Sequence, residues 1–184
     1  MKITQDALRI VSARLDPNHY LVGYYLDAIA KLYLDAGNLD AAERTARQVL
    51  AIYEKSLPAR HLYVAATRHL LGEVLLRRGQ LADAEKELRA ALDIDLAAVG
   101  PANWRAARTE ASWGWLLIAE NNAAEGEPRL VAARSKLLKS MGPLHPEVVL
   151  ASERLAQYYR AHHRDTDAAR VLAELKQVPA SILR

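Results

Sequence analysis

The stretch IAKLYLDAGNLDAAE, from Ile29 to Glu43, decides the fold of this 184-residue chain. It places small residues at Ala30 and Ala42, on either side of a glycine at Gly37. Apolar residues on both sides of that glycine recur three or four positions apart, which is typical of amphipathic helices. The stretch therefore predicts two helices that are joined by a short turn and cross closely at the two alanines.

The same pattern returns every 42 residues along the chain. The small residues recur in two columns, Ala30, Gly72, Gly114 and Ala156, and then Ala42, Ala84, Gly126 and Ala168. The turn residues recur as Gly37, Gly79, Asn121 and His163, and the large apolar residues as Ile29, Leu71, Trp113 and Leu155. A period of this length is typical of stacked helical units, and signals for strands are absent.

The repeat predicts an all-α chain with four helix pairs in a single domain, residues 1–184. The pairs are expected at 17–56, 59–99, 102–140 and 144–177, after an orphan helix at 4–15 and before a tail at 178–184. Gly37 and Gly79 are expected to end helices in the left-handed conformation. Asp16 and Pro17 are expected to cap and start the first paired helix, and Pro128 to bend the start of the sixth.

The orphan helix has its own place in the repeat. Leu8 and Ile10 lie 42 residues before Leu50 and Ile52, so the segment matches the second helix of a unit whose first helix is missing. Its apolar outer side needs a cover. The chain is then a piece of a longer array, or this helix caps the array, or it pairs with another subunit.

Composition limits the possible functions. The chain has no cysteine, which excludes disulfides and thiolate zinc sites and fits a cytoplasmic protein. No secretory signal is present, and no stretch approaches the ~20 apolar residues of a membrane-spanning helix. Residues 128–184 carry a net charge of +5 and residues 1–127 a net charge of −2. Such a basic end is attractive to acidic peptides, nucleic acids or anionic membranes, but a solvated helix surface is the simpler interpretation.

Motifs for chemistry are also absent. The sequence has no glycine-rich phosphate loop, no nucleophile elbow and no HExxH. Asp93 and Asp95 are two positions apart on a helix and are expected to point to different sides. His162, His163 and Asp165 fall at a predicted turn, where three converging metal ligands are not expected. We therefore predict that the chain is not an enzyme and uses no metal or cofactor.

Other recurring polar and aromatic residues have structural interpretations. His19, His61 and His145 share one phase of the repeat near the start of each first helix, which indicates capping or packing. The tyrosines and the three tryptophans are potential stacking platforms for bases. Because Tyr33 and Tyr159 occupy core columns, nucleic-acid binding is disfavoured.

Three stretches resemble the tetratricopeptide repeat in its 42-residue form, as found in kinesin light chains and many bacterial proteins. They are Ile29–Glu43, Leu71–Leu92 (LGEVLLRRGQLADAEKELRAAL) and Gly142–Tyr159 (GPLHPEVVLASERLAQYY). The third unit, with NWRAARTEASWGWLL and EGEPRLVAARSKL, is similar to arrays that follow bacterial serine/threonine kinase domains. The glycine turn is replaced by Asn121 and His163 in the last two copies, which indicates lower local stability there.

The resemblance implies a right-handed α-solenoid whose first helices line an inner, concave surface that binds a peptide. The residues that match this inner stripe and form the expected peptide-binding set are Tyr24, Asp27, Lys31, Leu34, His69, Glu73, Leu76, Arg108, Trp115, Ile118, Glu153, Gln157 and Arg160. Trp115 is either a binding anchor or a core residue, and Arg108 is either a peptide contact or a solvated side chain. Asp27 and Glu73 would repel a terminal carboxylate, which argues against chaperone tails as ligands.

The predicted function is therefore a protein-interaction scaffold that holds a partner protein or peptide. Two alternatives remain open: a regulatory or oligomerisation module of a larger bacterial signalling protein, such as a kinase or transcription regulator, and self-association through the end helices.

Overall fold

The computed structural model describes residues 2–176, and within them every element is helical. The helices are α1 (Lys2–Ser12), α2 (Tyr20–Asp35), α3 (Leu39–Ser56), α4 (Leu62–Arg77), α5 (Leu81–Val99), α6 (Trp104–Ala119), α7 (Ala123–Met141), α8 (Pro146–Ala161) and α9 (Asp165–Ala173), which a 3₁₀ turn at Glu174–Lys176 follows. The predicted all-α class is confirmed. The predicted tail at 178–184 lies outside the described residues.

The chain divides into two compact units. The first unit is Met1–Ala98, and the second begins at Val99. In the first, α2 pairs with α3 and α4 with α5; in the second, α6 pairs with α7 and α8 with α9. Each unit therefore contains two of the predicted helix pairs.

The orphan helix α1 packs on α2 in the first unit. Leu8 and Val11 contact the core formed by residues such as Val49 and Tyr53. Ile3 and Ile10 on the same helix are exposed. The helix therefore has the uncovered apolar side that the sequence predicts, and the three alternatives for its cover remain predictions.

The small-residue columns mark the closest helix crossings. Ala30, Ala42 and Ala84 are fully buried. A Cβ atom on Gly72 would lie 2.8 Å from Leu88 Cγ on α5, and one on Gly114 would lie 2.8 Å from the backbone nitrogen of Leu130 on α7. No side chain fits at these points without moving its neighbour, so the predicted reason for the small residues is confirmed.

Each first helix begins at a side-chain cap. Nδ1 of His19, His61 and His145 accepts a hydrogen bond from the backbone N–H two residues on, at 3.1–3.3 Å, and Asn103 Oδ1 does the same in the third copy. The interpretation of the three histidines as structural is confirmed, because each satisfies a backbone donor that the helix leaves unpaired.

The prediction that Asp16 and Pro17 start the first paired helix was wrong. Helix α2 begins at Tyr20, three residues later, with His19 as its cap. Asp16 Oδ1 instead accepts the backbone N–H of Asn18 at 2.7 Å, and the Asp16 carbonyl accepts that of His19 at 2.8 Å. The aspartate therefore stabilises a turn before the helix. Pro128 lies inside α7, which continues through it from Ala123 to Met141.

The four turn positions share one backbone conformation. Gly37 and Gly79 have φ of 74° and 73°, and their replacements Asn121 and His163 have φ of 63° and 57°. The fold therefore imposes the left-handed conformation whichever residue is present. Histidine has a steric cost in the left-handed conformation, because its Cβ atom crowds the following carbonyl oxygen, whereas glycine has none. Asparagine has a smaller cost than histidine.

Replacing His163 with glycine is expected to stabilise the second unit by about 1 kcal/mol, because the left-handed strain is removed. Asn121→Gly is expected to give a smaller gain. Urea unfolding followed by tryptophan fluorescence measures both, since Trp104, Trp113 and Trp115 all lie on α6. The control is His162→Gly, a neighbour with a φ of −109°, which should give no gain. A loss of stability for His163→Gly would contradict the strain argument.

Candidate functional site

Four side chains on α2 and α4 form the surface that we call the aromatic–acidic face of the first unit: Tyr24, Asp27, Tyr63 and Thr67. Tyr24 and Asp27 are three residues apart on α2, and Tyr63 and Thr67 are four apart on α4. Each pair therefore shares one side of its helix. This face belongs to the first helices of the two pairs in the unit.

The four side chains meet as two contacts across the helices. The rings of Tyr24 and Tyr63 lie 5.7 Å apart between centroids and are tilted by 49°. One turn further, the Thr67 hydroxyl donates to Asp27 Oδ1 at 2.6 Å. A short charge-assisted hydrogen bond fixes the carboxylate beside the ring pair.

Tyr53, on α3, lies beneath this face. Its side chain is 1% exposed, and its ring stacks on that of Tyr63 with 6.0 Å between centroids. The ring fits because α2 has Gly23 at the crossing, where a Cβ atom would lie 2.5 Å from Tyr53 Cε1. Burial raises the pKa of the Tyr53 hydroxyl, and the negative charge of Asp27 raises it further. The hydroxyl therefore stays protonated, and the field of Asp27 reaches into the ring cluster.

The exposed fraction differs along this face. Tyr24 is 47% exposed, whereas Asp27 and Tyr63 are half-buried and Thr67 is buried. Tyr20, one turn before Tyr24, is exposed as well and stacks on His19 at 4.7 Å. Large aromatic rings that stay in solvent while they rest on a rigid core are the kind of side chain that anchors binding partners.

The residues predicted for the inner stripe fall into three groups. Tyr24, Lys31, Glu153, Gln157 and Arg160 are exposed, and Asp27, Arg108, Trp115 and Ile118 are partly buried. Leu34, His69, Glu73 and Leu76 are buried. Solvent barely reaches these four side chains, and the predicted peptide-binding set as a whole stays a prediction. Lys31 also forms an ion pair with Asp35 at 2.8 Å.

In the second unit, Trp115 has the core contacts that one of its two interpretations expects, and its role as a binding anchor stays a prediction. The indole is partly exposed and packs against the core cluster that includes Leu130 and Leu155. The guanidinium carbon of the buried Arg154 lies 5.8 Å from its ring centroid. Arg108 lies instead over Trp104, at 5.5 Å. Trp104 and Trp115 therefore each have a cation–aromatic contact of their own.

Tyr63, Thr67 and Tyr53 were missed by the sequence analysis. Tyr63 stands in a column whose other members are Leu21, Arg105 and Glu147. An aromatic residue that occurs in only one copy is the signal that could have identified it. Thr67 and Tyr53 are identified only by the atoms that they contact.

A surface depression lies beside the start of α3. It is lined by Gly37, Asn38, Leu39, Asp40 and Arg78. Arg78 forms ion pairs with Asp40 and Glu43, and its guanidinium lowers the pKa of the Asp40 carboxyl. Asp40 and Arg78, the two charged residues that line this depression, therefore pair with each other.

Two further observations concern chemistry and membranes. Among residues 2–176, no three histidine, aspartate or glutamate side chains are grouped as metal ligands. Asp93 is exposed and Asp95 is buried, which confirms that they point to different sides. Over the same residues, the helices are too short or too polar to cross a lipid bilayer.

Comparisons with known proteins agree with the repeat. Residues 22–63 and 64–102 each match the family model for the tetratricopeptide repeat. No curated protein matches the chain. Among solved structures, the chain is similar to BtubC (BKLC) from P. vanneervenii, with a TM-score of 0.66 and 18% identity over 99% of this chain and 72% of that chain.

It is also similar to nearly identical TPR-like repeats that are named for a putative kinesin light chain of Podosopora anserina. One structure, of a variant with a single substitution, gives a TM-score of 0.65 at 20% identity and covers 100% of this chain and 86% of that one. A second structure of these repeats gives a TM-score of 0.63 at 20% identity, with coverage of 100% and 87%. The predicted resemblance to the 42-residue repeat type is confirmed, and the narrower likeness to arrays after bacterial kinases stays a prediction.

Proposed function

We propose that this chain, in which residues 22–63 and 64–102 match the tetratricopeptide-repeat family, binds a segment of a partner protein on the aromatic–acidic face of its first unit. Tetratricopeptide repeats are generally protein–protein interaction modules and typically not enzymes.

One observation supports this location best. Tyr24 is nearly half exposed, although its ring is held against Tyr63 and, through Tyr63, above the buried Tyr53. An exposed ring on a rigid support loses little conformational entropy when it is covered, so covering it favours binding. Its position on a first helix is the one that the repeat family uses for peptides.

The experiment selects peptides of roughly 12 residues from a random phage-displayed library against the purified chain. The selected peptides are then measured by isothermal titration with the wild type and with Tyr24→Ala. Removal of the aromatic anchor is expected to weaken binding by about 2 kcal/mol, which is about a 30-fold loss of affinity.

The matched control is Gln48→Ala, which truncates an exposed side chain on α3, a second helix of the same unit. It should leave the affinity unchanged. Selected peptides that bind both variants as tightly as the wild type would contradict the proposal. Far-UV circular dichroism should show that both variants keep their helical content.

A further inference from the structure

The aromatic–acidic face combines two features that attract the same chemical group. We propose that it takes a positively charged lysine or arginine side chain of the partner segment, which stacks on the Tyr24–Tyr63 ring pair and forms an ion pair with Asp27. This inference rests on the proposed function and specifies what the partner must carry.

The first feature is the ring pair. A tyrosine face is electron-rich and attracts an ammonium or guanidinium group within about 6 Å of the ring centroid. The tilt of 49° between the Tyr24 and Tyr63 rings directs their faces differently, and Tyr24 is the more exposed of the two. A partner cation therefore approaches from the solvent side and covers the exposed part of Tyr24.

The second feature is the carboxylate beside the rings. Asp27 is partly exposed, and Thr67 positions one of its oxygens at 2.6 Å. A carboxylate has about four acceptor sites, so one that already accepts hydrogen bonds within the fold can still accept a further charged donor. A guanidinium that lies on Tyr24 can reach a carboxylate three residues along the same helix face.

The charges around this face also favour a positively charged partner. Lys31, the nearest cationic position along α2, already forms an ion pair with Asp35 at 2.8 Å. Burial is the main cause of the raised pKa of the Tyr53 hydroxyl, and the charge of Asp27 is the second cause. An acidic segment or a terminal carboxylate would be repelled, and a neutral segment would gain from the rings alone.

The test uses the peptides selected for binding to the aromatic–acidic face. Those that depend on Tyr24 are expected to share a lysine or arginine. Replacement of that residue in the peptide by glutamine is expected to weaken binding to the wild type about tenfold. Asp27→Asn should cause a similar loss, because asparagine keeps an oxygen for the Thr67 hydroxyl but lacks the negative charge.

A double-mutant cycle tests whether Asp27 and the positively charged side chain of the peptide interact directly. With Asp27→Asn, the lysine- or arginine-to-glutamine change in the peptide should cost only about twofold or threefold, because the ion pair is already lost. The control is Asp93→Asn, which removes an exposed carboxylate on α5 and should leave every affinity unchanged. Thermal melts of the two variants check that each chain remains folded.

The possible results distinguish a failure of the cation inference from a failure of the proposed peptide binding. Peptides that need Tyr24 but carry no cation, or that bind Asp27→Asn as tightly as the wild type, overturn the cation inference and leave the proposed function intact. If no selected peptide depends on Tyr24, both are overturned.

Discussion

Replacing Gly126 with alanine is expected to destabilise the second unit by about 3 kcal/mol, although the added methyl group is small. A Cβ atom at Gly126 would lie 2.7 Å from the carbonyl oxygen of Gly114 and 2.9 Å from the backbone nitrogen of Ile118, both on α6. Backbone atoms cannot rotate away as a flexible side chain does, so the two helices must separate. That separation loosens the packing around Leu130, which is fully buried on α7.

The sign of this effect is informative, because helix propensity predicts the opposite. A glycine-to-alanine change within a helix raises stability by about 1 kcal/mol when nothing is in contact with the new methyl group. Ala132→Gly, at an exposed position of the same helix, measures that contribution in reverse. Urea unfolding followed by the tryptophans of α6 reports on both variants. If Gly126→Ala is as stable as the wild type or more stable, the close crossing of α6 and α7 is disproved.

Replacing Arg134 with alanine is expected to destabilise the second unit by about 3–4 kcal/mol. Arg134 is 7% exposed, and its guanidinium joins three elements. Nε donates to Ser152 Oγ on α8 at 2.7 Å, Nη2 to the Val171 carbonyl on α9 at 3.1 Å, and Nη1 to Glu174 Oε2 at 2.8 Å. Truncation removes all three bonds and leaves both a cavity and unpaired polar atoms.

Two further variants separate the causes of this loss. Arg134→Lys keeps the charge but lacks the planar fork, so it is expected to recover only part of the stability. Arg134→Met fills the volume without any donor and should also fall between alanine and the wild type. Hydrogen exchange of the α9 amides gives a second measurement. Because Arg134 donates a hydrogen bond to the Val171 carbonyl on α9, the exchange of these amides is expected to be faster in Arg134→Ala. If Arg134→Ala loses less than about 1 kcal/mol, the arginine does not join the elements.

The candidate site shows which of its features the repeat pattern predicts and which it does not. Tyr24 and Asp27 were predicted from their positions on a first helix, and both lie on the aromatic–acidic face. The same reasoning also selected His69 and Glu73 on α4, which are buried. Position on a helix face follows from spacing along the chain. Exposure depends on which neighbouring side chains cover that face, and spacing does not contain that information.

Arg134 shows the same limit in the core. It occupies the column of Leu50 and Leu92, so an apolar position of the repeat carries a charge in the third copy. That departure is visible in the sequence, but it does not reveal whether the arginine extends into solvent or is buried. Its three partners lie 18 to 40 residues further along the chain and meet it only because α8 packs on α7 and α9 packs on α8.

The sequence by itself determined the all-helical class, the paired helices, their turns and the close crossings at small residues. These features depend on contacts between neighbours in the chain and on a 42-residue recurrence that a single sequence displays. The tertiary structure alone decided which residues of the predicted stripe reach solvent, which tyrosines form the cluster above Tyr53, and where the guanidinium of Arg134 lies. These depend on distances between side chains far apart in the sequence, and packing establishes those distances only when the helices come together.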